Sequence, residues 1–391
     1  MARFVGDAMP WQEVDTVTLR HEFVELALRE ELSLTELCRR YEISRKTGYK
    51  WLGRAGGGGE AALQDRSRRP HSSPCRTPAA TEAQLVVLRQ QHPAWGPRKL
   101  RRLLEVKQLR THQAADCPSV STVAAILKRH GLIDPRAASQ HSAFVRFEHP
   151  QPNDLWQMDF KGHFAMRSGR CHSLTVLDDH SRFNLVLAAC SGETTQTVQQ
   201  HLIPAFRRYG LPWRMTMDNG APWGCDQPHE LTRLTVWLMR LGIAVSHSRP
   251  YHPQTQGKDE RFHRTLQAEV LAGQQFCDLP HVQQHYDRWR HVYNAVRPHE
   301  ALDLGVPQQR YRPSSRRYPE RLPALNYGPG DIVRQVQAQG RLQFGGHYFR
   351  VPKALRGQPV ALRPADPDGC YDVFFGIQRV AQIDARRPVQ A

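Results

Sequence analysis

The stretch from His252 to Leu266 constrains the fold of this chain more than any other. It passes through Pro253 and Gly257, residues that suit a loop, and then carries Phe262, Leu266 and Val270 at helical spacing. A polar loop therefore feeds a helix, and Glu260 falls in that helix's first turns. Two earlier acids sit in comparable places. Asp159 lies within Leu155-Trp156-Gln157-Met158-Asp159-Phe160, an apolar and aromatic run that reads as a strand. Asp218 follows Trp213-Arg214-Met215-Thr216-Met217 and precedes Asn219-Gly220, so it closes a second, short strand where the chain turns.

Two strand-end aspartates and one helix glutamate form an acidic cluster if the strands are neighbours. Carboxylates packed together repel, and they stay ionised at neutral pH when divalent cations stand between them. Hard oxygen ligands with no Cys and no obligatory His select Mg²⁺ or Mn²⁺. Two such ions, roughly 3.5–4 Å apart, would hold the attacking and leaving oxygens of an in-line phosphoryl transfer.

The order Asp159, then Asp218-Asn219-Gly220, then Pro253-Gln254-Thr255-Gln256-Gly257-Lys258 with Glu260 and Arg261, resembles the DDE catalytic core of retroviral integrases and of the insertion-sequence transposases related to them. Tyr293-Asn294, Arg297-Pro298-His299 and Ala301-Leu302 are similar to the segment that closes that core in the transposases. Together these segments cover roughly residues 150–305. The resemblance implies an α/β, ribonuclease-H-like core in which Asp159, Asp218 and Glu260 hold two Mg²⁺ (or Mn²⁺) ions. The interval from Asp218 to Glu260 is several residues longer than is usual in that family, and Trp223 to Pro228 accommodates the excess as a surface loop. Were the helix displaced instead, Asp259 or Glu269 would become the candidate acid.

Charge supports a polyanionic partner. Lys and Arg outnumber Asp and Glu by 54 to 37 in 391 residues, a net +17, which favours nucleic acid, although an arginine-heavy surface alone gives the same sum. Eight cysteines contain no C-x-x-C pair, so neither a disulfide framework nor a zinc ribbon is indicated. No apolar run approaches membrane-spanning length and the start lacks a secretion signal, so the expected location is the cytoplasm, nucleoid-associated when bound to DNA.

Ahead of the core, two all-α modules are expected. Thr18 to Arg29 carries Leu19, Phe23, Leu26 and Leu28 on one apolar face. Ser33 to Leu52 then resembles a helix-turn-helix, with Ser33 as N-cap, Glu36 three residues on, a turn near Tyr41-Glu42-Ile43 and Ser44 capping a second helix. Arg45, Lys46 and Lys50 on that helix suit phosphate and base-edge contacts in a major groove; a helical hairpin used only for packing is the plainer alternative. A Gly/Ser/Pro/Arg linker follows. Leu85, Val86 and Leu88 form the next apolar set, Pro97 opens a further helix, and Ser119 caps one that ends at Gly131. This resembles the second helix-turn-helix that such transposases carry.

Within the core, strands are expected near 154–163, 171–179 and 183–190, with Asp178 to Arg182 as the turn between the last two. Asp179 reads as a turn residue partnered by Arg182. A helix from about Thr195 to Tyr209, the Asp218 strand, a helix near 230–241 and a strand at 242–246 complete the mixed order. His281 and His285 have ligand-like spacing but no acidic third ligand, and read as a solvated helix face. From Asp331 short strands and a Gly345-Gly346 hairpin turn suggest a small β-barrel, whose Arg341, Arg350, Lys353, Arg356 and Arg363 suit a DNA or partner surface, or simply scatter over a stabilising cap.

The expected layout is helix-turn-helix 1–55, linker 56–80, second helical module 81–134, linker 135–150, catalytic core 151–305, linker 306–328 and small barrel 329–387. The resemblance implies a DNA transposase that cuts the ends of its element and transfers them into target DNA, with the helical modules reading the terminal inverted repeats. Lys258 and Arg261, beside the helix acid, are candidates for contacts to terminal phosphates, though they read equally as solvated helix charges. A homo-oligomer in the synaptic complex is expected, and an accessory ATPase is a further candidate partner. The competing reading is a DNA-binding regulator whose core has lost its chemistry.

Overall fold

Side-chain alternation along the run from Leu155 builds the centre of the molecule. Trp156, Met158 and Phe160 point to one face of a strand, while Gln157 and Asp159 point to the other. A computed structural model describes residues 15–58, 60–67, 76–111, 117–133, 148–224, 230–247 and 257–387. These fall into two compact units, one ending at Arg76 and the other beginning at Thr77.

The first unit is helical: α1 (Thr16–Leu28), α2 (Leu34–Arg40) and α3 (Arg45–Gly58). Both expected caps form. Ser33 Oγ accepts from the Glu36 amide at 3.3 Å, and Ser44 Oγ from the Thr47 amide at 3.2 Å. Phe23, Val24, Leu37 and Trp51 make the core. The apolar face of α1 is narrower than its pattern suggests, because Leu28 is 71% exposed while Val24 is buried. Gly48 is fixed by proximity: a Cβ there would stand 2.6 Å from Cys38 Sγ. Arg45, Lys46 and Lys50 are exposed, and the Lys50 ammonium also lies 4.7 Å from the Trp51 ring.

The second unit begins with α4 (Ala79–Gln91), α5 (Pro97–Arg110) and α6 (Val120–Arg129), packed through Leu85, Leu100, Leu104, Val123 and Leu127. Pro97 occupies the first helical position, and Ser119 Oγ accepts from the Thr122 amide at 3.2 Å. A five-stranded mixed sheet follows, comprising β1 (Leu155–Met166), β2 (Gly169–Asp178), β3 (Asn184–Cys190), β4 (Arg214–Met217) and β5 (Ala244–His247), in the order β3-β2-β1-β4-β5. β3, β2 and β1 are antiparallel; β4 runs parallel to β1, and β5 parallel to β4. α7 (Thr195–Tyr209) and α8 (Arg233–Arg240) bury Trp156, Met158 and Phe160 on one face. α9 (Gly257–Leu266) and α10 (Leu279–Ala295) cover the other through Phe262, Leu266, Tyr286 and Trp289.

Edge strand β3 is closed by side chains of α10. Asn294 both accepts from the Asn184 amide and donates to its carbonyl, Arg290 donates to Leu185 O, and Gln283 serves the Ala189 amide and Leu187 O. A free strand edge invites pairing with another chain, and this arrangement removes it. Val292 and Val296 also pack on the core of the α4–α6 module, making that module continuous with the sheet domain.

The C-terminal strands are β6 (Ile332–Gln335), β7 (Arg341–Phe344), β8 (His347–Arg350), β9 (Pro359–Ala365), β10 (Cys370–Phe375) and β11 (Gln378–Asp384). They form an antiparallel sheet ordered β11-β10-β9-β6 and a separate β7–β8 hairpin turning at Gly345-Gly346. The region is β-rich as expected, but among the described residues no pairing joins β6 to β11, so it is an open sheet and a hairpin rather than a closed barrel. Six short strands do signal a β domain, yet closure depends on edge pairing, which strand periodicity does not encode. No helix among the described residues is long and apolar enough to cross a membrane.

Candidate active site

The sheet register sets two of the three sequence-selected acids. Gln157 pairs with Thr216 across the parallel β1–β4 ladder. Two residues past that pair stand Asp159, still within β1, and Asp218, directly beyond the end of β4. Neighbouring strands lie about 4.8 Å apart, so their side chains face one space. Asp218 sits just past the end of β4, held by the Gly220 amide at 3.1 Å. A Cβ on Gly220 would come 3.2 Å from its carboxylate, so glycine leaves that oxygen room.

Glu260 occupies the exposed side of α9's first turn, one position round from the buried Asp259. Burial and the neighbouring Asp218 push the Asp159 carboxyl up to about 7, with Glu193 and Glu260 adding to the rise. Asp218 is raised as well, by burial and by Glu193. The three acids therefore share one electrostatic neighbourhood. They are not a ready-made ligand set: among the described residues, no three His, Cys, Asp or Glu side chains converge closely enough to hold an ion. The segment just ahead of α9, His252 to Gln256, lies outside the described residues, as do Cys225 to Pro228 in the expected surface loop.

His263 and Thr175 flank Asp159 from the helix and the neighbouring strand. Thr175, the register partner of Asp159, donates its hydroxyl to the Asp159 carbonyl at 3.0 Å. His263 Nε2 is therefore the donor in its 2.9 Å contact with Thr175 Oγ1, and its bare Nδ1 faces Asp159 Oδ2 at 3.8 Å. Burial and Lys161 hold that imidazole down to about 4, so it is neutral at pH 7.

The two basic candidates on α9 separate. Arg261 is exposed, as a phosphate contact requires. Lys258 instead turns inward, pairing with the Asp179 carboxylate and reaching the Asp179 carbonyl at 3.2 Å. Burial brings its ammonium down to about 8. Arg182, the expected partner of Asp179, bonds only the Asp179 backbone carbonyl and sends its other end to Glu148 at 3.0 Å.

The two other acids of this region are placed differently from Glu260. Glu269 is bound through one oxygen to Trp289 Nε1 and through the other to Arg297 Nε, both at 2.9 Å, a structural arrangement facing the helical core. Asp259 is fully buried with neither oxygen hydrogen-bonded, and burial with Asp159 and Asp179 close by holds its carboxyl well above the usual range. His281 and His285 are part-exposed on α10 and lie edge-on to Phe276 at ring separations of 5.6 and 5.4 Å.

Sequence reasoning passed over Glu193, the acid just beyond the end of β3, whose Oε1 lies 2.8 Å from His172 Nδ1. The rule that singled out Asp218, an acid where a strand ends in a turn, applies to it equally. His263 carried no such signal.

Comparisons with known proteins bear on this geometry. Residues 149–253 and 241–307 match models of an integrase core domain, and residues 331–389 match the C-terminal domain of the IS481 family transposases. Residues 19–71 match a helix-turn-helix domain, and 47–127 a homeodomain-like domain. The chain is 28% identical over 248 residues to an insertion element IS476 protein of Xanthomonas euvesicatoria, covering 61% of this chain and 66% of that one, just under two thirds of its length. It is 24% identical over 232 residues to an insertion element IS407 protein of Burkholderia multivorans, covering 58% and 79%. The Gag-Pro-Pol polyprotein of mouse mammary tumor virus is 31% identical over 121 residues, which are 31% of this chain and 6% of the polyprotein. Among solved structures, the HTLV-2 integrase catalytic core in complex with magnesium aligns at a TM-score of 0.32 and 14% identity, over 42% of this chain and 99% of that one, a likeness too slight to argue from.

Proposed function

We infer that this chain, which belongs to the insertion-sequence transposases built on an integrase core, is a metal-dependent polynucleotidyl transferase that cuts the ends of its element and joins them to target DNA. The observation that carries the inference is the parallel register of Gln157 with Thr216, two residues before Asp159 and Asp218, together with the rise of the Asp159 carboxyl caused in part by Asp218 and Glu260; both support a shared site for the three acids. The antiparallel β3-β2-β1 and parallel β1-β4-β5 order supports a ribonuclease-H-like assignment for this core.

The donor set fits a hard divalent cation. Crowded, partly buried carboxylates with raised proton affinity are relieved by Mg²⁺ or Mn²⁺, and Asp159, Asp218 and Glu260 are the residues that would hold two such ions. When bound, the ions supply charge neutralisation at the attacking and leaving oxygens of phosphoryl transfer. The protein's own part is orientation. The Thr175 hydroxyl and the Asp159–Thr175 backbone pairing fix the β1 acid, and neutral His263 faces it without adding charge. Exposed Arg45, Lys46 and Lys50 on α3 suit duplex contact in end recognition, with Arg261 available for phosphates near the acids. The partners that follow are element ends, target DNA and further copies of this chain, since two ends must be joined in concert.

The test is Mg²⁺-dependent nicking and joining of a duplex carrying the element's own termini. Asp159→Asn, Asp218→Asn and Glu260→Gln should each lose joining while binding the duplex almost as the unaltered chain does. Joining undiminished in any one of them removes that residue from the site. Duplex binding with no nicking by the unaltered chain would favour the inactive regulator instead.

A further inference from the structure

We propose that Lys258 is a positioning residue, whose ammonium locks the first turn of α9 onto the turn between β2 and β3 and so fixes the direction in which Glu260 points. The proposal rests on the reading of Glu260 as one of three metal-holding acids, and it replaces a phosphate-binding role for Lys258 with an internal one.

Three observations support it. Lys258 is bound at both the carboxylate and the carbonyl of Asp179, and its side chain is only 18% exposed. An ammonium committed to two oxygens of its own chain has little left for an external phosphate. Next, Asp179 is itself immobile. It is 1% exposed, accepts from the His149 amide at 2.8 Å and Gln157 Nε2 at 2.9 Å, and has its carbonyl bound by Arg182. Because Gln157 lies on β1 two residues before Asp159, the anchor that receives Lys258 belongs to the same strand assembly that carries the first acid. Last, the neighbouring inward position gives no alternative grip, since Asp259 is fully buried and neither of its oxygens is hydrogen-bonded. Among the described residues, Lys258 is thus a polar tie between the first turn of α9 and the β2–β3 turn, and it stands on the turn that bears Glu260. Side chains at 258 and 260 lie about 200° apart around a helix, so an inward lysine turns Glu260 outward, where it is exposed.

The experiment uses the full chain with Lys258→Met, Lys258→Arg, Asp179→Asn and, for contrast, Arg261→Ala. It measures Mn²⁺ affinity by calorimetry, affinity for plasmid DNA as a function of salt, and Mg²⁺-dependent nicking. Lys258→Met and Asp179→Asn should each weaken Mn²⁺ binding about tenfold and lower nicking on the order of a hundredfold, the loss expected of a reacting group displaced by an ångström. Their DNA affinity and its salt dependence should stay as in the unaltered chain, and combining the two should be no worse than either alone. Lys258→Arg should recover most Mn²⁺ affinity, which keeps the test open if Lys258→Met fails to fold. Arg261→Ala should do the reverse, reducing the salt slope by about one with Mn²⁺ affinity unchanged.

The proposal is overturned if Lys258→Met binds Mn²⁺ normally and loses about one unit of salt slope, because Lys258 is then a phosphate contact. It is overturned equally if the Lys258→Met and Asp179→Asn losses simply add. Absence of Mn²⁺ binding and nicking in the unaltered chain would sink the underlying reading of the acids, an outcome distinct from either.

Discussion

The strand pair and the helix that surround the acids are held by different kinds of bond. Asp159 is set by backbone pairing with Thr175 across β1 and β2, and Asp218 stands directly past the last pairs of β4, so both inherit their places from backbone ladders. Glu260 depends on where α9 lies, and α9 is held by side chains: Lys258 to Asp179 at its start, apolar burial of Phe262 and Leu266 along it, and Glu269 to Arg297 just beyond. Backbone ladders tolerate substitution, whereas a buried ion pair broken on one side leaves an uncompensated charge. The helix is therefore the part of the site that mutation can move.

The largest effect expected anywhere is chemical. Asp159→Asn or Asp218→Asn should lower nicking on the order of a thousandfold, since several kcal/mol of transition-state stabilisation are at stake and each ~1.4 kcal/mol is tenfold. Both losses should be large, because each acid would hold an ion. Nicking within about tenfold of the unaltered chain by either variant, measured at saturating Mg²⁺, would show that acid to be dispensable and break the strand pair.

Next in size is the far end of the helix. Glu269 and Arg297 are both 9% exposed, so Glu269→Gln or Arg297→Ala should destabilise the unit by about 3–5 kcal/mol in denaturant unfolding. A loss under about 1 kcal/mol would mean that apolar packing alone holds this end.

A pH effect of about 2 kcal/mol comes from the same neighbourhood. His299 is buried, and burial and Arg297 hold it down to about 3 from its usual 6.5. The unfolded chain protonates it below about pH 6.5 while the folded one does not, so stability falls as pH drops, by about 2 kcal/mol at pH 5. His299→Gln should flatten that part of the profile in a denaturation series; an unchanged slope would assign it to other groups.

Legibility in the sequence follows the same division. Local pattern revealed what local forces decide: the alternation of Trp156, Met158 and Phe160 with Gln157 and Asp159, the caps at Ser33 and Ser119, and the hairpin at Gly345-Gly346. It missed what distant partners decide. A lysine near a helix start reads as solvated, and nothing near it in sequence discloses that its partner is Asp179, 79 residues away. The inward turn of Asp259, the hold of Trp289 on Glu269 and the edge strands of the C-terminal sheet are of the same kind.

The smallest expected effect tests the comparison most directly. Thr175→Val keeps shape and burial but removes the hydroxyl that donates to the Asp159 carbonyl and accepts from His263. One lost hydrogen bond and one stranded imidazole donor should cost about 1–2 kcal/mol of stability. Nicking should fall less than about tenfold, because the Asp159–Thr175 backbone pairing survives the substitution. A loss as large as that expected of Lys258→Met would mean that Asp159, too, is steered by side-chain bonds, and the contrast between ladder and helix would collapse.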